Sequence, residues 1–345
     1  MKIMVVSFTP KGARLSREMA DHLNEAGHCV KAYSKYGGFG LLPLEKGLKA
    51  FTEEAFLSSQ ALIFIGAAGI AVRAIAPCLN SKATDPAVIV VDEIGEHVIP
   101  ILSGHLGGAN GLARRIAEDL GGKAVITTAT DLNGVFAVDL WAKEQGLHIM
   151  NIEHIKHVSA ALLHGQSIGF CCEYPVQGEL PDFLTAGPAE TGICILGSGH
   201  PRADRSPFKK TLFLRPRQYV AGIGCRKGID ADLLERVFLG TLQAVNLSPE
   251  LVQGVATIDL KKEEAAILRL CDKYGYCLKI FSKEELMAAE GRFSSSEFVR
   301  AITGADNVCE RAALLASDQG KLVLGKTAGS GVTAALAAKT WRCVF

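Results

Sequence analysis

The chain has 345 residues, with 37 Lys and Arg against 36 Asp and Glu, so its formal charge of +1 offers no general basic field for nucleic acid. At 48% hydrophobic and 21% charged it has the composition of a folded protein and not of a disordered one. Its longest strongly apolar run, Ala61 to Val72, is broken by glycines and ends at Arg73, short of the ~20 residues that a spanning helix needs.

The length predicts two or three domains, each large enough for a real core. Met1 to Val6 enters a strand pattern directly, with no small-residue cleavage site, and ten cysteines include no Cys-x-x-Cys pair. Reduced thiols in a cytoplasmic protein are expected, not a disulfide frame or a zinc site.

Short β-type runs alternate with helical patterns almost from end to end, which signals a multi-domain α/β protein with mainly parallel sheets and flanking helices. A strand at Ile3 to Ser7 leads through Thr9-Pro10-Lys11-Gly12 into a helix reaching about Gly27, with Leu15, Met19 and Leu23 on one face. Cys29 to Tyr33 is the next strand. Ala61 to Ile65 is fully apolar, turns at Gly66-Ala67-Ala68-Gly69, and enters a short helix that Pro77 stops. Val88 to Asp92 and His97 to Leu102 read as a hairpin around Gly95, with Pro100 confining the second arm to an edge or strand end. A helix with Leu112, Ile116 and Leu120 closes at Gly121-Gly122, and Val125 to Thr128 reads as a strand followed by a turn at Asp131 to Gly134.

From about Ile149 to Leu214 elements shorten and loops lengthen, with a basic run (His200, Arg202, Arg205, Lys209, Lys210). Arg215-Pro216-Arg217 is the clearest boundary. Beyond it the alternation restarts: a strand at Tyr219 to Ile223, a glycine-rich loop, a helix from about Ile229, strands at Val255 to Asp259 and Tyr276 to Phe281, and a helix capped by a Ser294-x-x-Glu297 box. Residues 1–140, 141–215 and 218–345 are the expected N-terminal, central and C-terminal α/β regions, the last a separate domain.

Chemistry concentrates between Asp92 and Asn110. Asp92-Glu93 and Glu96-His97 flank a tight turn where neighbouring carboxylates and a His could split into acid and base roles, although a solvated turn has the same composition. Ser103-Gly104-His105-Leu106-Gly107-Gly108-Ala109-Asn110 then opens a helix: its glycines let backbone approach a ligand, and His105 is a base or ligand near neutral pH. Ser103 and His105 lie two apart on a loop, a poor setting for a nucleophile pair, so water activated by a base is favoured. Gly66 and Gly69, with Arg73 a turn on, suit an anion or simply a close turn. Gly222-Ile223-Gly224-Cys225-Arg226-Lys227-Gly228 has the look of a dinucleotide fingerprint with one residue too many. Its Asp259 lies too far along, so an anion loop with Arg226 and Lys227 explains it as well. Asn307-Val308-Cys309-Glu310-Arg311 reads as a helix start with Glu310 a modest functional candidate.

Taken together, Gly66 to Pro77, Asp92 to Asn110, Thr128 to Phe136, Gly222 to Gly228 and Asn307 to Leu315 resemble the CbiG family of cobalt-precorrin 5A hydrolases, over nearly the whole chain and more loosely from about 140 to 215. The resemblance implies opening of the δ-lactone that joins the ring A acetate to carbon 20 of a cobalt tetrapyrrole, with loss of acetaldehyde to give cobalt-precorrin 5B. It also implies no cofactor beyond the cobalt carried by the substrate, no nucleic acid or membrane partner, and transient contact with neighbouring pathway enzymes.

On that reading His105, Asp92 or Glu93 is the general base, with Ser103 and His97 beside them and amides of Gly104, Gly107 and Gly108 as oxyanion donors. Gly66, Gly69, Arg73, Asn110, Asp131, Gly224, Arg226, Lys227 and Glu310 would contact the substrate. His105 as an axial cobalt ligand is disfavoured, because Ser103 stands where an orienting Asp is expected. Two rival readings are a non-catalytic tetrapyrrole carrier and an NAD(P)-dependent oxidoreductase built on Gly222 to Gly228.

Overall fold

The computed structural model describes residues 1–81, 84–105, 107–197 and 206–345. His200, Arg202 and Arg205 of the basic run, and Leu106 of the glycine-rich loop, lie outside the described residues. The chain forms two compact units, residues 1–141 with 162–165, and residues 142–161 with 166–345. Among the described residues no helix is long and apolar enough to cross a membrane.

The first unit begins with β1 (Lys2–Ser7), α1 (Pro10–Glu25), β2 (Cys29–Ser34), β3 (Leu42–Pro43), α2 (Gly47–Ser58), β4 (Ala61–Ile65), α3 (Ala68–Ile75) and β5 (Ala87–Val91). It continues with β6 (His97–Leu102), α4 (Ala109–Leu120), β7 (Lys123–Ala124), α5 (Ala129–Leu132) and α6 (Val138–Glu144), the last running past the unit boundary. Thr9 caps α1 by accepting from the Gly12 amide, and Pro10 occupies its first turn, where a missing N–H costs nothing.

Seven strands form one sheet in the order β3-β2-β1-β4-β5-β6-β7. All of β4 and β5 is buried, as expected for parallel strands covered on both faces. One face packs against α1 and α4 through Met19, Leu23, Leu112 and Ile116, and the other holds Phe51, Phe64 and Ile75.

The feature that positions the site is a reversal of direction. β1, β2, β4 and β5 run parallel, whereas β6 returns antiparallel to β5 and then pairs parallel with β7. The carboxyl ends of β6 and β7 therefore face the opposite way from those of β1, β4 and β5. Pro100 sits where β6 has run past the two-residue β7, which pairs only with His97 and Val98, so the missing N–H breaks no ladder on that side. The expected strand at Val125 to Thr128 ends earlier, at Ala124, and the expected turn at Asp131 is one turn of helix, α5.

The second unit holds two five-stranded sheets. The first uses β8 (Leu147–Ile149), β9 (Ile168–Cys172), β11 (Leu184–Thr185), β12 (Thr191–Ile195) and β13 (Lys210–Pro216), in the order β11-β9-β12-β13-β8, with α7 (Ile155–Leu163) between β8 and β9 and the short β10 (Val176–Gln177) between β9 and β11. Only β8 runs antiparallel to its neighbour. The second contains β14 (Tyr219–Cys225), α8 (Ala231–Gln243), β15 (Val252–Ile258), α9 (Ala265–Tyr274), β16 (Cys277–Phe281), α10 (Lys283–Ala288), α11 (Glu297–Thr303), α12 (Cys309–Ala316), β17 (Lys321–Gly329) and β18 (Val332–Ala338). Its order is β16-β15-β14-β18-β17, and a closing strand, β19 (Cys343–Val344), pairs with β10. All ten cysteines carry free thiols.

Two expectations fail here for identifiable reasons. Gly222 and Gly224 lie inside β14 and not in a phosphate loop. A Cβ on Gly222 would stand 1.8 Å from the Cys309 carbonyl oxygen, so the glycine exists to let α12 press onto the strand. That removes the feature on which a dinucleotide site rested. The cap of α11 is Ser296, while Ser294 is drawn instead to Glu310. Gly222→Ala should destabilise the C-terminal sheet by about 3 kcal/mol or more, because overpacking here meets backbone and not a movable side chain. A denaturant titration checks this, and an unchanged midpoint would contradict the packing account.

Candidate active site

Both oxygens of Asp92 are taken by its own turn. Oδ1 accepts from the Ile94 and Glu96 amides at 2.9 and 3.2 Å, and Oδ2 from the His97 amide at 2.6 Å, with His97 Nδ1 3.1 Å away. Burial works against the charged form, but these donors outweigh it and hold the carboxyl below its usual range. This is the side chain-to-backbone bonding by which Asp closes a turn. Glu93 is half-buried in the same turn, without a hydrogen bond or ion pair among the described residues.

His105 lies at the other end of β6. Six residues at ~3.3 Å each put roughly 20 Å between the Asp92–His97 turn and the loop after Leu102. The cluster that is compact in sequence is thus two separate places. Gly66 and Gly69 fall with Asp92, since the Gly66 amide donates to the Val91 carbonyl at 2.8 Å, and Arg73 is exposed without an ion pair among the described residues. Gly224, Arg226, Lys227 and Glu310 belong to the second unit.

The loop from Ser103 folds onto itself. Ser103 has φ +55°, unusual for a residue with a side chain, and its hydroxyl donates to the Asp85 carbonyl at 2.9 Å, away from a nucleophile's role. A Cβ on Gly107 would stand 2.4 Å from Ser103 Cβ, and one on Gly104 would stand 2.7 Å from Asn110 Oδ1. Gly108, at φ +83°, starts α4. The amides of Gly108, Ala109 and Asn110 donate to His105, Ser103 and Gly104 carbonyls at 3.0, 3.1 and 2.9 Å. Of the three glycine amides expected to face an oxyanion, that of Gly108 is therefore spent inside the loop. Gly104 and Gly107 serve close approach, and Gly108 supplies the positive φ.

That fold aims His105 at the segment beyond β7. Its Nε2 lies 2.6 Å from Asp131 Oδ2 and 3.3 Å from Thr130 Oγ1, and its Nδ1 lies 3.4 Å from Asp139 Oδ2. Asp131 also receives Asn110 Nδ2 at 3.0 Å on the same oxygen and Arg114 at 2.5 Å on the other. Asn110 and Arg114 stand four apart on α4, so one helical face delivers both donors, and Asn110 also reaches Thr128 Oγ1 at 3.0 Å. The side chains of His105, Asp131 and Asp139 are 17%, 15% and 10% exposed, so the group is shielded but reachable.

Two carboxylates around one imidazole favour its charged form. Asp139 first and Asp131 second overcome burial and raise the His105 pKa to about 9. The contact to Asp131 is the shorter, but that carboxylate shares its charge with Arg114 and Asn110, which leaves Asp139 the larger influence. Arg114 and His105 in turn hold Asp131 below the usual carboxylate range against the opposing effect of burial. A pKa of about 9 keeps the imidazole in its charged form at neutral pH.

Asp139 is the residue that reading the sequence missed. It sits 34 positions beyond His105 in an ordinary helical pattern, and only the fold brings the two together. Glu310, by contrast, is 5% exposed and fully engaged: its oxygens accept from Ser294, Asn307 and the Lys326 amide, and Asn307 also ties the Ser294 carbonyl. Arg311 beside it grips Asp306 and lies 4.3 Å over the Phe293 ring. This is a framework that anchors the 291–296 loop on α12, and it explains the Asn307 to Arg311 motif without a ligand.

With the geometry in view, comparison with known proteins is decisive for kinship. The cobalamin synthesis G N-terminal model matches residues 50–131, the central-region model 136–216 and the C-terminus model 219–337. A cobalt-precorrin-5A hydrolase of Salmonella typhimurium is 35% identical over 347 aligned residues, covering 97% of each chain. The chain belongs to the CbiG family. A second member, the cobalt-precorrin-5A hydrolase of Priestia megaterium, is 34% identical over 82% of this chain and 79% of its own. All three CbiG modules are thus present, and the His105 loop, Asp131 and α4 lie within the stretch matched by the N-terminal one.

The charge state of His105 also has a thermodynamic signature. A pKa raised from 6.5 to about 9 adds stability that is fully present below pH ~6.5 and is lost as pH rises through ~9, at most about 3 kcal/mol. Comparing wild type with His105→Gln in urea between pH 6 and 10 should show a gap that closes toward pH 10. A gap independent of pH would mean that the imidazole is neutral in the fold.

Proposed function

We propose that this chain is a cobalt-precorrin 5A hydrolase that opens the ring A acetate δ-lactone, releases acetaldehyde and yields cobalt-precorrin 5B, with His105 as its proton-handling group. Its kinship supports the reaction. The observation that carries the site assignment is the His105 ring held between the Asp131 and Asp139 carboxylates.

Lactone hydrolysis adds water oxygen to the acyl carbon, a proton of that water passing to solvent, and breaks the acyl–oxygen bond, which leaves an alkoxide. An imidazolium with a pKa of about 9 keeps its proton at neutral pH and can give it to that oxygen. The neutral imidazole left between two carboxylates is then a strong base for its kind. It can take the hydroxyl proton back as the carbon–carbon bond breaks and acetaldehyde departs, the bonding electron pair passing to the macrocycle. One group thus serves both steps, first as acid and then as base.

The cobalt is part of the substrate, and the chain's own residues supply binding and proton transfer without a further cofactor. A cytoplasmic setting suits ten free thiols, and brief contact with the neighbouring enzymes of the pathway would pass the product on.

Purified protein incubated with cobalt-precorrin 5A should release acetaldehyde stoichiometrically, and His105→Ala should lower kcat by about a hundredfold or more. Binding without acetaldehyde release would instead make the chain a carrier. Because the acid form starts the reaction, kcat should fall as pH rises through about 9. A rate that climbs between pH 7 and 9 would mark His105 as the initiating base and overturn the assignment.

A further inference from the structure

Arg114 makes one short contact and leaves most of its guanidinium unused. A single nitrogen, Nη2, meets Asp131 Oδ1 at 2.5 Å, while its Nε and Nη1 have no partner among the described residues and the side chain is 50% exposed. Guanidinium carries five donors in a planar fork suited to gripping a carboxylate with two of them. Asp131 places this open edge beside the proton donor, because Arg114 and His105 occupy the two oxygens of one carboxylate.

The neighbouring cation differs. Arg115, the next residue on α4, is closed by Asp119, with Nε 3.0 Å from both of its oxygens. Arg114, unlike Arg115, is therefore a basic group with donors to spare. An exposed Arg–Asp pair contributes little to stability, so stability alone gives weak reason to hold Arg114 against Asp131.

We propose that Arg114 is a substrate anchor, its free guanidinium edge binding a peripheral carboxylate of the tetrapyrrole and so setting the lactone against His105. The inference rests on the reading of this site as the hydrolase centre and adds the group that selects an acidic macrocycle. Asp131 then has two duties, orienting the imidazolium on one oxygen and fixing the angle of the anchor on the other. Arg226 and Lys227, singled out in the sequence for carboxylate binding, lie in the other unit, whereas Arg114 lies on the helix that the His105 loop itself opens.

The test is an absorbance titration of the full chain with cobalt-precorrin 5A, beside steady-state release of acetaldehyde. Arg114→Gln should raise Kd and KM about ten- to hundredfold, the loss of a charge-assisted pair, while kcat falls by less than tenfold. Arg114→Lys should fall between, since it keeps the charge and loses the fork. Wild-type Kd should weaken as salt rises from 0.05 to 0.5 M, and the methyl-esterified macrocycle should bind wild type as weakly as the free acid binds Arg114→Gln.

If Arg114→Gln left Kd unchanged and lowered only kcat, Arg114 would merely position Asp131 and the anchor would be refuted. Equal binding of ester and acid by wild type would refute it without any variant. Wild type that binds the acid through Arg114 but releases no acetaldehyde would overturn the hydrolase reading and leave the anchor standing. Wild type that does not bind it at all would remove both.

Discussion

A carboxylate withdrawn from water must be met by donors, and in this protein the demands of Asp131 organise the surrounding chain. His105 and Asn110 converge on one oxygen and Arg114 on the other. Those donors come from a loop and the helix it opens, so the loop must turn sharply enough to aim His105 outward while Asn110 and Arg114 remain four apart on α4. This is why Ser103 accepts a left-handed conformation and why Gly104 and Gly107 have no room for a side chain. The strain is local, and the hydrogen bonds inside the loop offset it.

The same requirement accounts for the direction of the sheet. Were β6 parallel to β5, the His105 loop would open at the end that holds Gly66 and the Asp92 turn. Because β6 returns antiparallel, it opens at the far end, where the segment leaving β7 supplies Thr128, Thr130, Asp131 and Asp139. The nineteen residues from Asp92 to Asn110 therefore divide their labour: one end closes a turn, and the other carries chemistry. The buried Glu310 framework of the C-terminal sheet applies similar physics to a different end, satisfying a carboxylate completely so that it fixes a loop.

Much of this was legible in the sequence, because period and punctuation are local properties. The apolar strand Ala61–Ile65, the strand read at Val88 to Asp92 and found at Ala87–Val91, the helix closed by Gly121 and the prominence of His105, Asn110 and Asp131 all follow from residue patterns read within a few turns. What misled was proximity along the chain. Asp92, Glu93 and His97 are near His105 in number, yet a strand between them keeps them apart. Asp139 is distant in number, yet it lies against the imidazole. The glycines of β14 misled for a related reason: close packing by α12 and close approach by a phosphate ask for the same residue. Composition cannot separate those demands, whereas the position of Cys309 does.

The account turns on His105 being doubly protonated between Asp131 and Asp139 at the pH where the enzyme works. The most direct measurement is the side-chain nitrogen and carbon-bound proton shifts of His105, assigned by comparison with His105→Gln, across pH 6 to 10. Both ring nitrogens should stay in the protonated range up to about pH 9 and change together there. A midpoint near 6.5, or the split shifts of a neutral tautomer at pH 7, would contradict it.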